Sequence, residues 1–158
     1  MTVDNATAES VDVITDALLI ASRLLVAISA RSIASVDDTI TIPQFRTLVI
    51  LSNRRPVNLA TLADLLDVQP STTGRMVDRL VSAGLIDRRQ HPNSRRELVA
   101  ELTAHGRKVV QQVTAHRRRE IARIVEKMPS RERRGLVRAL TAFTAAGGEP
   151  PAHVDADL

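Results

Sequence analysis

The chain has 158 residues, of which 44% are apolar, 25% charged and 1% aromatic, and its formal net charge is +4. A chain of this length can bury one hydrophobic core without covalent cross-links. It contains no cysteine, which excludes disulfide bonds, thiolate metal sites and thiol-based redox switches. Two phenylalanines are its whole aromatic content, so it lacks the side chains on which single-strand nucleic-acid binders stack bases.

Charge is distributed unevenly along the chain. Residues 1–42 carry two basic and six acidic side chains, residues 54–96 carry eight and four, and residues 105–138 carry eleven and three. Most of the basic residues are arginines, whose guanidinium suits bidentate contacts to phosphate and guanine. This polarity indicates a polyanionic partner, or an acidic segment from Asp4 to Asp16 that packs on the basic helices of a second subunit.

The sequence also predicts where the protein resides and which activities it lacks. Its first twelve residues are acidic and lack the order of a signal peptide, and no apolar run is long enough to cross a bilayer. We therefore expect a soluble, cytoplasmic protein with no membrane segment. Phosphate-loop, dinucleotide and hydrolase motifs are absent and the four histidines are scattered, so we expect neither an enzyme nor a metal or cofactor site.

Two helices are predicted in the first third of the chain. From Val11 to about residue 34, apolar residues recur every three or four positions. Their stripe is wide enough to predict burial on more than one side. Thr41 and Pro43 are typical of the N-cap and first turn of a second helix, which runs to about Asn53.

A helix-turn-helix is predicted next. Asn58 is the expected cap of a short third helix, which stops at Asp67, a residue type that tolerates left-handed backbone. A fourth helix begins with Pro70 in its first turn and is closed by Gly84. Two short helices joined by so few residues form a helix-turn-helix.

The periodicity then changes to that of strands. Residues 85–90 and 97–102 flank a turn at Pro92-Asn93, which predicts a β-hairpin with Leu98, Ala100 and Leu102 on its buried face. Thr103 is the expected cap of a long helix that ends before Pro129, and Ser130 is the expected cap of one last helix.

Helix, helix, turn, helix and hairpin, in this order, predict a mostly α fold with a small antiparallel β-hairpin wing, a winged helix-turn-helix flanked by long terminal helices. Over residues 10–145 the sequence resembles the MarR family of bacterial transcriptional regulators. The residues that carry the resemblance are Leu59-Ala60-Thr61-Leu62-Ala63, Pro70-Ser71-Thr72-Thr73-Gly74-Arg75-Met76-Val77-Asp78-Arg79-Leu80, Gly84-Leu85-Ile86-Asp87-Arg88, Ser94-Arg95-Arg96 and Leu102-Thr103-Ala104-His105-Gly106.

The resemblance implies one domain over residues 1–145, followed by a disordered tail, 146–158. Within it, residues 41–102 form the DNA-binding lobe, and helices at about 10–34 and 103–145 form a homodimer. Such a dimer binds a pseudo-palindromic DNA duplex. The resemblance further implies release of the DNA when a small aromatic or anionic effector binds between the dimerisation helices and the lobe.

The fourth helix carries the first set of candidate DNA contacts. In a helix-turn-helix, residues in the N-terminal half of the second helix reach base edges in the major groove. Ser71, Thr72 and Arg75 lie there, and we expect Arg75 to contact guanine while the hydroxyls hold phosphate or base. The alternative is a polar face that meets only solvent.

A second set lies outside that helix. Arg95 and Arg96 follow the hairpin turn, where a guanidinium can enter a narrow minor groove, although charged hairpin tips also serve to prevent strand pairing. Arg54 and its neighbour Arg55 either contact phosphate or complement a helix dipole. The resemblance adds Thr61, in the first helix of the motif.

Three positions bear on how this site is held. Ser94 stands where the family's wing has an aspartate that orients an arginine, and Gly74 stands where the family often has a hydroxyl on the DNA face. Arg79 is expected to be structural, paired with Asp64 or Asp87.

These features together predict a sequence-specific, double-stranded-DNA-binding transcriptional regulator, a ligand-responsive repressor that acts as a homodimer. Two alternatives stay open at this point. One is an architectural protein that binds DNA with little sequence preference, and the other is a helical module whose basic face binds an acidic protein.

Overall fold

The structure is a computed structural model that describes residues 10–54 and 56–149. Its described part confirms the predicted mostly helical fold with a small antiparallel sheet. The elements are α1 (Val11–Ala34), α2 (Ile42–Ser52), β1 (Val57–Asn58), α3 (Leu59–Leu66), α4 (Pro70–Ser82), β2 (Ile86–His91), β3 (Ser94–Leu102), α5 (Ala104–Lys127), α6 (Ser130–Arg133) and α7 (Leu136–Ala146). Residues 1–9 of the acidic segment, Arg55 and residues 150–158 of the predicted tail lie outside the described residues.

Side-chain caps start α2, α3 and α5 where the sequence predicted, but the predicted cap Ser130 is wrong, because Pro129 precedes α6 and no side chain caps that helix. Thr41 Oγ1 accepts from the Gln44 N–H at 3.3 Å while the Gln44 side chain accepts from the Thr41 N–H at 2.9 Å. Asn58 Oδ1 accepts from the Thr61 N–H at 2.7 Å, and Thr103 Oγ1 accepts from the Gly106 N–H at 2.9 Å. Each bond satisfies a backbone donor that the helix itself leaves unpaired.

The turn between α3 and α4 also follows the prediction. Asp67 ends α3 in the left-handed conformation, with φ 53° and ψ 46°. Helix α4 ends one turn before β2, and Gly84 reverses the chain there with φ +74°. Because this φ is strained for a residue with a Cβ, glycine suits the position.

The sheet has three strands in the order β1-β3-β2, all antiparallel. The predicted hairpin is confirmed, but its second strand begins three residues earlier, at Ser94, and β1 was not predicted. Leu98, expected to be buried, is 39% exposed because it lies on the part of the hairpin that extends beyond the pairing of β1 with β3. Val99, which pairs with Asn58, is buried instead.

One cluster of buried apolar side chains joins α2, α3, α4 and the sheet to the end of α1 and the start of α5. Leu48, Leu62, Val77 and Val113 have no exposed surface. Where α5 crosses the sheet, Gly106 is buried so tightly that a Cβ would lie 2.1 Å from the Leu85 carbonyl oxygen. This core fixes α4 relative to the wing and to α5.

The C-terminal helix differs from the prediction. The single helix expected from Ser130 is two helices, because Gly135 adopts a left-handed φ of 81° between α6 and α7. Helical periodicity continues on both sides of that glycine, which is why the sequence pattern did not reveal the break.

Helix α1 differs in its environment. The prediction that α1 is buried on more than one side is wrong for a single chain, since Ile20 and Val26 are 64% and 54% exposed. The expectation that no segment is long and apolar enough to cross a membrane is also wrong, because α1 meets both criteria by length and composition. Arg23 lies in the middle of this helix, where a bilayer would penalise it by about 2.5–3.5 kcal/mol.

Candidate nucleic-acid interface

Helix α4 presents the predicted contact residues on its solvent-facing side. Thr73, Val77 and Leu80 point into the core, whereas Ser71, Thr72 and Arg75 are exposed. Pro70 occupies the first turn, where its missing N–H costs no hydrogen bond. Two hydroxyls and one guanidinium thus emerge from the N-terminal half of a helix whose opposite side is anchored.

An ion pair fixes the flank of α4 against the wing. The expected pairing of Arg79 with Asp64 or Asp87 is wrong: the pair that forms here joins Asp78 of α4 to Arg88 of β2. Both side chains lie partly in solvent, 57% and 36% exposed respectively. Sequence reasoning missed this pair because the contact depends on the angle at which α4 meets β2.

The wing carries Arg95 and Arg96 as exposed side chains just after its turn. Within the turn, the Asn93 N–H donates to His91 Nδ1 at 3.1 Å, and the Arg96 N–H donates to Ser94 Oγ at 3.4 Å. Ser94 therefore bonds to backbone, whereas the aspartate expected from the family would orient an arginine. Nearer the core, Arg89 and Glu101 form an ion pair at 3.0 Å across the two strands.

Arg54 and Thr61 line a common cleft away from the exposed face of α4. This polar cleft of about 400 Å³ lies between the end of α2, the start of α3 and the sheet, and it is also lined by His91 and Val99. Both predicted residues are exposed at its surface. The structure thus presents the predicted site in three parts: α4, the wing tip and this cleft.

A second cleft separates the start of α2 from α4. It encloses about 240 Å³, is mainly apolar, and is lined by Thr41, Pro43, Gln44, Thr72, Arg75, Met76 and Arg79. Thr47 packs beneath it, with its Oγ1 3.0 Å from Met76 Sδ. A small molecule here would touch Arg75, a candidate DNA contact.

The described residues contain no cluster of three or more His, Asp or Glu side chains that could hold a metal ion. What the arrangement offers is hydrogen-bond donors and positive charge on a helix, a hairpin tip and a cleft. These groups suit a duplex polyanion whose grooves accept a helix and a hairpin.

A helix-turn-helix followed by an arginine-bearing wing defines the winged-helix class of DNA-binding proteins. The sequence profile described as "MarR family" matches residues 40–98, which include the helix-turn-helix and most of the wing. The chain belongs to the MarR family, whose members are transcription regulators rather than enzymes.

The chain is also similar to individual proteins. The chain is 23% identical to the uncharacterized HTH-type transcriptional regulator YfiV of Bacillus subtilis (strain 168) over 104 residues, which span 66% of this chain and 65% of YfiV. It is 77% identical to RV1404 from Mycobacterium tuberculosis, whose crystal structure superposes with a TM-score of 0.84 over 92% of this chain and 99% of that one. FabT of Streptococcus pneumoniae, solved in complex with DNA, is 20% identical, with a TM-score of 0.74 over 89% and 99% of the two chains, and shows the same fold.

Proposed function

We propose that the chain is a cytoplasmic, sequence-specific DNA-binding repressor that acts as a homodimer and responds to a small effector. The observation that carries this proposal is the exposure of Ser71, Thr72 and Arg75 on one side of an anchored α4. Arginine can form two hydrogen bonds to guanine, and hydroxyls can bond to phosphate or to base edges. Arg95 and Arg96 supply the minor-groove or phosphate contacts of the wing.

The terminal helices support the homodimer. Large apolar side chains are exposed on α1 and α7: Val11, Val13, Ile14, Leu19, Ile20, Leu24, Leu25, Val26, Val137, Leu140 and Phe143. A soluble monomer rarely exposes so many large apolar side chains along its helices. A second copy covers the same helices on both chains by two-fold symmetry, and it sets two copies of α4 ~34 Å apart, one turn of DNA.

The cleft between α2 and α4 supports an effector, but at a different place from the one that the resemblance implies: it lies within residues 41–102 and not between that lobe and the dimerisation helices. Its walls are mainly apolar, and Arg75 and Arg79 are among the residues that line it. This combination suits a small aromatic or aliphatic carboxylate, which would bury its ring or chain and pair its charge. Such a ligand competes with guanine for Arg75, so DNA binding and effector binding oppose each other.

A binding titration tests the DNA-binding proposal. Fluorescence anisotropy compares a duplex from upstream of the protein's own gene with a scrambled duplex, at several salt concentrations. We expect tighter binding to the upstream duplex and a steep loss of affinity with salt, because bound cations are released from DNA. Equal affinity for all upstream and scrambled duplexes would favour an architectural protein, and no salt-dependent binding would favour a protein partner.

A further inference from the structure

The cleft that holds Arg54 and Thr61 contains a third donor that the proposed DNA contacts do not include. His91, the last residue of β2, is half-buried and lines this cleft. A register shift between Gln90 and His91 breaks the regular pairing of β2 with β3 at this point. Beyond the irregularity His91 pairs with Ser94, which places it at the base of the turn.

The hydrogen bond within the turn defines which nitrogen of His91 is free. The Asn93 N–H donates to Nδ1 at 3.1 Å, so Nδ1 is the unprotonated nitrogen and Nε2 carries the hydrogen. Among residues 10–54 and 56–149, no group accepts a hydrogen bond from Nε2. The turn therefore holds the imidazole in one tautomer, with a donor left for a ligand.

The charges around the cleft are suited to a single anion. Arg54 supplies a full positive charge and Thr61 a hydroxyl. The carboxylate bonded to the cleft wall is Glu97, which accepts from Asn58 Nδ2 at 3.2 Å. Arg54 brings a positive charge to this cleft, and the imidazole N–H and the hydroxyl add neutral donors for an anion.

We propose that Arg54, Thr61 and His91 form one binding cleft for a phosphate of the DNA backbone, with His91 donating from Nε2. This inference rests on the proposed DNA-binding function and adds a contact that links the wing to α3. Because a phosphate carries no base identity, the contact fixes the register of the protein on the duplex and strengthens binding to all sequences alike.

The variant His91→Asn removes the proposed phosphate contact and keeps the hydrogen bond of the turn. An asparagine side-chain oxygen can accept from a backbone N–H two residues later, so it preserves the turn but is too short to reach the phosphate. We expect the affinity of the full-length protein for both the upstream and the scrambled duplex to fall about tenfold, as for loss of a hydrogen bond to a charged group. His105→Gln, at an exposed histidine of α5, is the matched control and should bind as the wild type does.

Two further measurements identify the phosphate. Arg54→Gln should reduce the slope of log affinity against log salt by about one per bound subunit, whereas His91→Asn should leave that slope unchanged because a neutral donor releases no counterion. In a series of duplexes with one neutral methylphosphonate each, the substitution that weakens the wild type most should weaken His91→Asn less, because only Arg54 and Thr61 still contact that phosphate in the variant.

The inference would be overturned if His91→Asn bound DNA with wild-type affinity. It would also be overturned if each methylphosphonate weakened His91→Asn as much as it weakens the wild type. In either case the upstream duplex could still be preferred by the wild type, which would leave the proposed function intact. An absence of any salt-dependent duplex binding by the wild type would overturn both.

Discussion

Asp78 on α4 accepts a hydrogen bond from Arg88 on β2, so a single ion pair ties the proposed recognition helix to the wing. The two side chains lie ten residues apart, on either side of the turn at Gly84. Their contact opposes rotation of the hairpin away from α4. The pair adds to the buried core in holding the proposed base contacts of the helix and the proposed minor-groove contacts of the wing in one relation.

The first prediction concerns this pair. Because both side chains are partly exposed, we expect Asp78→Ala to reduce the free energy of unfolding by no more than about 1 kcal/mol. The effect on DNA affinity should be larger, since the variant frees the wing as well as the helix. Urea unfolding and anisotropy titrations of Asp78→Ala, Arg88→Ala and the double variant give the coupling energy of the pair. Fully additive effects on both quantities would show that the ion pair does not couple the two elements.

The second prediction concerns Gly106, at the start of α5. A Cβ there would lie 2.1 Å from Leu85 O and 3.2 Å from Leu102 Cδ2. Since a backbone oxygen cannot rotate away, Gly106→Ala should destabilise the fold by about 3 kcal/mol or more, at or above the usual range for overpacking. Thermal unfolding measures the loss.

Gly74 is the matched control for that experiment. It lies within α4, and a Cβ there would meet nothing within 4 Å. Gly74→Ala should therefore stabilise the fold by about 1 kcal/mol through helix propensity. If both variants changed the stability in the same direction, the packing of Gly106 against Leu85 would be refuted as the cause.

The third prediction concerns the apolar surface of α1. Ile20 is 64% exposed in the single chain, and a glutamate there would place a charge in the proposed dimer interface. Ile20→Glu should convert the protein from dimer to monomer in sedimentation velocity at micromolar concentration. Gln90→Glu, at an exposed position of β2 outside the proposed dimerisation helices, is the control and should remain dimeric. A wild type that is already monomeric under these conditions would contradict the homodimer.

The fourth prediction concerns Asp37, between α1 and α2. The Thr39 hydroxyl donates to Asp37 Oδ1 at 2.6 Å and lowers the pKa of that carboxyl below its usual 3.8, assisted by the Thr39 N–H at 2.9 Å and by the charge of His105. A carboxyl with a depressed pKa in the folded state stabilises the fold above its unfolded pKa, and this stabilisation is lost as pH falls through the folded value.

Thr39→Val removes the larger of these contributions. The variant should therefore be less stable than the wild type at pH 6, and the difference should shrink as pH falls below 3.8. Urea unfolding of both proteins between pH 6 and pH 3 checks this. A difference in stability that stays constant with pH would mean that Thr39 does not act through the charge of Asp37.

The features predicted from sequence are those that depend on neighbouring residues. A cap such as Asn58 bonds to a backbone N–H three residues away, and Asp67 needs only its own tolerance of left-handed backbone. Strand β1 was missed because it has two residues and its partner Val99 lies about forty positions further along the chain. No local pattern identifies so short a strand.

The candidate site was predictable to a similar degree. The exposure of Ser71, Thr72 and Arg75 follows from helical periodicity, because the apolar residues of α4 define its buried side. The roles of Asp78 and His91 do not follow from periodicity. They depend on the angle between α4 and β2 and on the shifted register at the end of β2, which only the folded chain defines.

The most direct test of the central claim is the effect of Arg75→Ala on sequence preference. Anisotropy titrations give the ratio of affinities for the upstream and scrambled duplexes, with Arg123→Ala as control because Arg123 is paired with Glu120 on α5, away from α4. We predict that Arg75→Ala weakens binding to the upstream duplex by about 1–3 kcal/mol and reduces the ratio of affinities toward one. Arg123→Ala should leave that ratio at its wild-type value. An unchanged ratio in Arg75→Ala would contradict base readout by α4.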